Sequence, residues 1–256
     1  MKKTLLLFTL LLGIFSSSTL IAQDSDLLNR VRANDISGVN ELIAAGADVN
    51  MQDDMMGFTP LILAVTANNS EMVKLLISSG ADINKKDNTY GFTPLMMALQ
   101  SNYTAIARLL ISEGADIKAK GNNESTALIL AAMNSRELVE LLLARGADIK
   151  ARSDNGSGVM TNCVMGIIRG SATIDLAEFL LSKGADIDEV NTTDYYGGYT
   201  PLFWAVDDNN EELVSFLIQN GANVNAKSIE GKTPLSLAKE GSYVEIVEIL
   251  KASGAK

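Results

Sequence analysis

From about Asp24 onward the chain alternates apolar bursts of helical spacing with polar loops at a nearly constant interval. In Glu71-Met72-Val73-Lys74-Leu75-Leu76-Ile77 the apolar residues fall on one side of a helix, as a segment packed against a neighbour requires. Each such burst closes on the same phrase. It reads Gly46-Ala47-Asp48-Val49-Asn50, then Gly80-Ala81-Asp82-Ile83-Asn84 and Gly114-Ala115-Asp116-Ile117-Lys118; Gly146, Gly184 and Gly221 open it again, and Gly254-Ala255 begins a seventh. The glycines are 34, 34, 32, 38, 37 and 33 residues apart. A period of that length marks a repeat architecture, in which units stack because none can bury its apolar face alone.

A second phrase keeps step with the first. Thr59-Pro60-Leu61, Thr93-Pro94-Leu95, Thr200-Pro201-Leu202 and Thr233-Pro234-Leu235 each stand 21 residues before their glycine. Thr126-Ala127-Leu128 is a close variant and Thr161-Asn162-Cys163 a degraded one. Threonine caps a helix start, and proline suits the first helical position, where no N–H partner is needed. Three residues after the leucine stands Ala64, Ala98, Ala131, Ala205 or Ala238, small enough for close helix approach. The glycine stops the second helix with a left-handed turn. The spacing predicts seven helix–turn–helix units of about 24–52, 53–86, 87–120, 121–152, 153–190, 191–226 and 227–256, joined by extended loop fingers in one all-α domain. The first unit lacks the T-P-L phrase. With Ser25 as a cap, and with Arg30, Arg32, Asn34 and Asp35, it reads as a polar end cap. Glu240, Glu245, Glu248 and Lys251 serve the last unit in the same way.

In these paired phrases the sequence resembles the ankyrin repeat family. The resemblance covers Asp24 to the C-terminus and implies an all-α ankyrin-repeat solenoid, with fingers and first helices lining a concave binding face. One departure stands out. The family usually places histidine after T-P-L, whereas Ile62, Met96, Ile129, Val164, Phe203 and Ser236 stand there, and the chain has no histidine at all. More apolar packing of the loops and no switch near neutral pH are expected.

Composition and charge then narrow the function. With 31 acidic against 21 basic residues, two of the latter in the leader, a polyanion such as DNA or RNA is repelled and a basic protein surface attracted. Lys2, Lys3, the apolar run Leu5 to Phe15 and the small residues up to Ala22 have the layout of a secretory signal peptide over 1–22. Export to the bacterial periplasm is therefore expected, with secretion beyond the cell as the alternative and no membrane association after cleavage. Cys163 is the only cysteine, so no intrachain disulfide forms; it is either a redox-sensitive thiol or a small core residue.

The catalytic inventory is thin. Without histidine there is no Ser-His-Asp triad, Cys-His pair or His-ligated zinc, and no phosphate-cradling or calcium-loop motif appears. No cofactor or metal is expected. The fingers carry the recognition chemistry. They hold Met55, Met56 and Phe58, then Tyr90 and Phe92, then Tyr195, Tyr196 and Tyr199, with Trp204 in the helix that follows. The fifth and sixth fingers are the longest, at 11 steps from Lys150 to Thr161 and 12 from Asp188 to Thr200. The resemblance puts Asp207 and Asp208 on the concave helix surface. The tyrosines serve either contact or loop packing, and Trp204 either contact or core. The leading expectation is a non-enzymatic, protein-binding scaffold that inhibits, protects or positions an envelope enzyme. The alternatives are a hydrolase using Asp194, Asp207 and Asp208, or a secreted effector binding a host protein.

Overall fold

The computed structural model describes residues 26–256; the leader and Ser25 lie outside the described residues. The chain divides into two compact units, one ending at Ala115 and the other running from Asp116 to Lys256. In the first, residues 26–32 form helix α1, followed by α2 (Ile36–Ala44), α3 (Pro60–Thr66), α4 (Ser70–Ser78), α5 (Pro94–Gln100) and α6 (Thr104–Ser112). In the second, α7 (Ala127–Ala131), α8 (Arg136–Ala144), α9 (Val159–Ile168) and α10 (Ile174–Ser182) precede α11 (Pro201–Asp207), α12 (Glu211–Gln219), α13 (Pro234–Glu240) and α14 (Val244–Ala252). Among the described residues there is no strand, only one isolated antiparallel bridge between Lys120 and Thr126. No helix there is long and apolar enough to cross a membrane.

The local signals act as the phrases foretell. The hydroxyls of Thr59, Thr93, Thr126 and Thr233 accept the backbone N–H three residues on, and proline or alanine follows at the first helical position. Such a cap is worth about 1 kcal/mol. Each phrase glycine stands at φ between 84° and 96°. At Gly80 this lets Ala81 N–H reach back to Leu76 O at 3.0 Å while Gly80 N–H bonds Ile77 O at 3.0 Å, satisfying carbonyls that the helix end would leave bare. The first helices end by the same geometry without glycine: Asn34, Asn68, Asn102 and Asn209 take φ of 52–57°, and Ser242 takes 59°. Asparagine tolerates this region better than most residues.

Helices of seven to nine residues are marginal alone, so packing supplies their stability. Within the first unit α3 stacks on α5 and α4 on α6; within the second, α7, α9, α11 and α13 stack in succession and α12 meets α14. The core is the stack of repeated positions. Leu61, Leu95, Leu128 and Leu202 are at most 1 % exposed, and Ala64, Ala98, Ala131, Ala205 and Ala238 are as deeply buried. The residues standing where the family has histidine are buried too: Ile62, Met96, Ile129, Val164 and Phe203 fill the space with carbon. Ser236 closes a capping box with Thr233 instead, each side chain bonding the other's backbone N–H.

Two repeats depart from the pattern, and one sequence expectation is corrected. Thr161 does not cap its helix. Helix α9 starts three residues earlier, after Gly158, and its start is capped from the next repeat by Glu189. The fifth finger is therefore not enlarged: Gly158 is only 8 positions beyond Lys150, whereas Thr59 is 9 beyond Asn50. Its extra residues went into the helix and into a longer α9–α10 turn. In the fourth repeat, α7 is only five residues long and its turn has no left-handed residue. In this shortened helix with its altered turn, Met133 O lies so near α9 that a methyl group at Gly166 would sit 2.1 Å from it.

Candidate functional site

The fingers are built by side chains that replace missing backbone partners. In the second finger Asp53 N–H bonds Phe58 O at 3.0 Å, and its carboxylate accepts from Met56 N–H at 2.9 Å and Phe58 N–H at 3.2 Å. Burial pushes the Asp53 carboxyl up. The N–H groups of Met56 and Phe58, the Arg32 charge and Gly57 N–H outweigh that and hold it below the usual range. The third finger repeats the device with Asp87, which accepts from Thr89, Tyr90 and Phe92 N–H at 2.6–2.8 Å. Asn88 N–H bonds Met56 O at 2.9 Å, and Gln52 bridges Gly57 O and Lys86 O, so the two fingers are tied to one another.

This scaffold turns Met55 (89 % exposed), Met56 and Tyr90 outward. Phe92, expected on the contact surface, is buried instead. Its backbone is held by Asp87 at both ends, which turns its ring inward, where it lies 5.7 Å from Tyr90. Phe58 is half-buried in the same register.

The sixth finger, in the second unit, is the long one. Asn191, itself buried, bonds Tyr199 O and Gly198 N–H through its backbone, and its side chain takes Thr193 N–H and hydroxyl. Ile229 N–H of the next finger bonds Gly197 O at 2.8 Å. The rings then pack on one another in order of depth. Tyr195 meets Tyr196 edge-on at 4.6 Å, Tyr196 lies 4.7 Å from Trp204, and Tyr199 stacks on Phe203 at 4.7 Å with planes 19° apart. Tyr195 is 78 % exposed and Ile229 64 %, Tyr199 and Trp204 are half-buried, and Phe203 is fully enclosed. Loop packing and exposure thus vary along one cluster, with Tyr195 largely in solvent and Tyr199 and Trp204 packed behind it.

Carboxylates border the rings. Asp207 ends α11, Asp208 caps it, and both are exposed, as is Asp194. The Tyr199 hydroxyl is pushed up by burial first and then by the negative charge of Asp207, with Glu230 acting in the same sense and Lys232 against it. Two polar atoms stay unsatisfied here. The Thr200 hydroxyl makes no cap bond, unlike its four counterparts, and the Trp204 indole N–H one turn on is buried without a partner. Among the described residues no group of three or more acidic, cysteine or histidine side chains is placed to hold a metal ion. Cys163 is fully buried, and desolvation, then the Glu189 charge, pushes its thiol up to about 12, the behaviour of a core residue.

Three residues escaped the sequence reading: Ile229 and Val190, exposed beside the tyrosines' finger, and the buried Glu189. Only Glu189 had a signal available, an acid directly after a phrase that elsewhere ends in asparagine or lysine.

Comparison with known proteins now decides the family. The profile described as ankyrin repeats (three copies) matches residues 27–121 and 164–256, and that for a single ankyrin repeat matches 123–154. The chain belongs to the ankyrin repeat family. Among its relatives, the mouse B-cell lymphoma 3 protein homolog is 41 % identical over 76 residues, covering 30 % of this chain and 16 % of that protein. An ankyrin repeat protein of Borreliella burgdorferi is 29 % identical over 77 residues, covering 30 % of this chain and 33 % of its own. The chain thus spans a third or less of these curated relatives. The crystal structure of the human ASB11 ankyrin repeat domain superposes with a TM-score of 0.71 at 24 % identity, covering 90 % of this chain and 98 % of that one, a likeness of fold. Ankyrin repeats are protein-binding scaffolds and in general not catalysts.

Proposed function

We propose that this ankyrin protein is exported to the bacterial periplasm, where it binds a protein partner through its fingers and so inhibits, protects or positions an envelope enzyme. The sixth finger carries the reading. Tyr195, Tyr196 and Ile229 are large apolar side chains left in water on a loop tied down by backbone and side-chain hydrogen bonds. Exposed apolar groups on a rigid support gain free energy when a partner covers them, and tyrosine gives contact area at small entropic cost. Met55, Met56 and Tyr90 offer a second such ridge on the first unit. Export rests on the leader pattern of residues 1–22, and the acidic excess favours a partner with a basic face.

The test is a photo-cross-linking residue placed in living cells at Tyr195, at Met55 and, as a control, at Glu248 on the exposed side of α14. One protein captured from the finger positions and not from Glu248 is expected. Identical patterns from all three positions, or none from the fingers, refute the contact surface. Fractionation with N-terminal sequencing checks the compartment; a chain keeping residues 1–22 in the membrane fraction refutes the soluble periplasmic location.

A further inference from the structure

The sixth finger brings together two properties that rarely coincide on a contact surface. The first is its rings. Tyr195 and Tyr196 stand at 86° to one another, Tyr196 leans on Trp204 at 53°, and exposure falls steadily inward along the series. Rings set at right angles cannot cover both of each other's faces. The open faces carry the negative side of the aromatic quadrupole, which attracts a cation. The second property is charge. Asp194 precedes Tyr195 in the chain, and Asp207 and Asp208 stand three and four residues after Trp204 at the end of α11, Asp208 N–H bonding Trp204 O at 3.1 Å, so they lie one turn along the helix from the ring against which Tyr196 packs. The basic residues beside them are Lys227, whose backbone lies against Gly198, and Lys232, which is held by Glu240 at 2.9 Å and Glu230 at 3.8 Å. The acidic side remains in excess.

A purely apolar partner would have to strip water from those carboxylates with nothing in return. A phosphate, an anionic lipid headgroup or an acidic peptide would be repelled. A guanidinium answers both properties: its plane stacks on rings, and its N–H fork bonds carboxylates two at a time. From this, and resting on the reading of the sixth finger as a contact surface, we infer that the Tyr195–Tyr196 wall with Asp207 and Asp208 is a socket for an arginine side chain of the partner protein. Trp204 forms the floor of the socket.

The chain's single tryptophan is that floor, so its own emission reports occupancy. The purified full chain is titrated with the capped peptide Gly-Arg-Gly, with the same peptide carrying citrulline (the same shape without charge), and with its lysine counterpart. A saturable change in Trp204 emission is expected with arginine, about tenfold weaker binding with citrulline, and an intermediate affinity with lysine. Asp207→Asn with Asp208→Asn, both exposed, should weaken arginine binding about threefold and flatten its salt dependence, with an unchanged circular dichroism spectrum. Tyr195→Ala, at a side chain 78 % exposed, should weaken it without unfolding the chain. Citrulline binding as well as arginine, lysine binding best, or no saturable response to any peptide overturns the socket. These outcomes separate it from the broader reading. A protein cross-linked at Tyr195 in cells, together with indifference to arginine, leaves the scaffold standing and removes the socket. Arginine binding without any cross-linked protein keeps the guanidinium site and overturns a partner protein as the source of the arginine.

Discussion

Glu189→Gln is the most informative single change in the fold. Glu189 is 1 % exposed and belongs to the loop after α10, yet its carboxylate caps α9 in the preceding repeat. One oxygen accepts from Gly158 N–H at 2.9 Å, Thr161 N–H at 2.8 Å and the Thr161 hydroxyl at 2.9 Å; the other accepts from Met160 N–H at 3.2 Å and lies 3.4 Å from the Arg152 guanidinium. Glutamine keeps the shape and removes the charge. Its NH2 must replace one of the two oxygens, and each oxygen faces only donors. In the cheaper orientation the NH2 confronts Met160 N–H and Arg152, which keeps Asp186 at 3.2 Å and the Lys150 and Ala151 carbonyls as partners. A buried donor left unsatisfied costs about 1–3 kcal/mol, and the remaining bonds lose their charge assistance. The sum is about 3–5 kcal/mol, the range for breaking one side of a buried charged contact. Against a typical stability of about 5–15 kcal/mol this is a large fraction. Urea unfolding followed by Trp204 emission measures it in the second unit, where this helix lies. Glu178→Gln, exposed on α10, is the control and should shift nothing. A Glu189→Gln midpoint equal to that of Glu178→Gln would show that the cap contributes nothing and refute the reasoning.

Four further outcomes follow from the same structure. Thr59→Val removes a cap whose hydroxyl holds Ile62 N–H at 3.1 Å and should cost about 1 kcal/mol, whereas Thr200→Val removes only an unsatisfied buried hydroxyl and should be neutral or stabilising; urea midpoints of the two compared with wild type decide it. Gly166→Ala restores the residue that five other repeats carry and gains about 1 kcal/mol of helix propensity, but its methyl meets Met133 O at 2.1 Å, so thermal unfolding should show net destabilisation. The Asp53 carboxyl is held below its unfolded value of about 3.9. Its contribution is present above about pH 4 and lost as pH falls through the folded value, so Asp53→Asn should flatten the acid limb of stability measured by urea midpoints against pH. Cys163 should resist iodoacetamide in the folded chain and react once urea unfolds it. With its thiol pushed up to about 12 against about 8.5 unfolded, stability should fall as pH rises across that window and should not do so in Cys163→Ala.

The repeat was legible because its signals are local. A threonine cap, a proline at the first helical turn and a glycine that can turn left-handed act within five residues of themselves, so their recurrence in the sequence is their recurrence in the structure. The burial of Ile62, Met96 and Phe203 followed from position within that period. Matters were otherwise wherever a residue answers to a neighbour in space. Thr161 looks like a cap and is not one, because Glu189 reaches its helix from the next repeat. Gly166 looks like decay of the pattern and instead makes room for the Met133 carbonyl of a shortened repeat. Phe92 and Tyr195 are alike as finger aromatics in the sequence, yet a carboxylate anchor turns one inward and a three-residue-longer loop leaves the other in solvent.

By itself, then, the sequence determined the period, the helix pairs, their caps and the acidic balance, since each depends on the chain's nearest neighbours or on a simple count. The tertiary structure alone decided which finger residues face outward, which carboxylate is buried and which ring lies behind which. Those depend on contacts that close only once the chain has folded, from Phe92 with Asp87 five residues away to Glu189 with Gly158 in the preceding repeat, and their strength is set by distance and burial rather than by order along the chain.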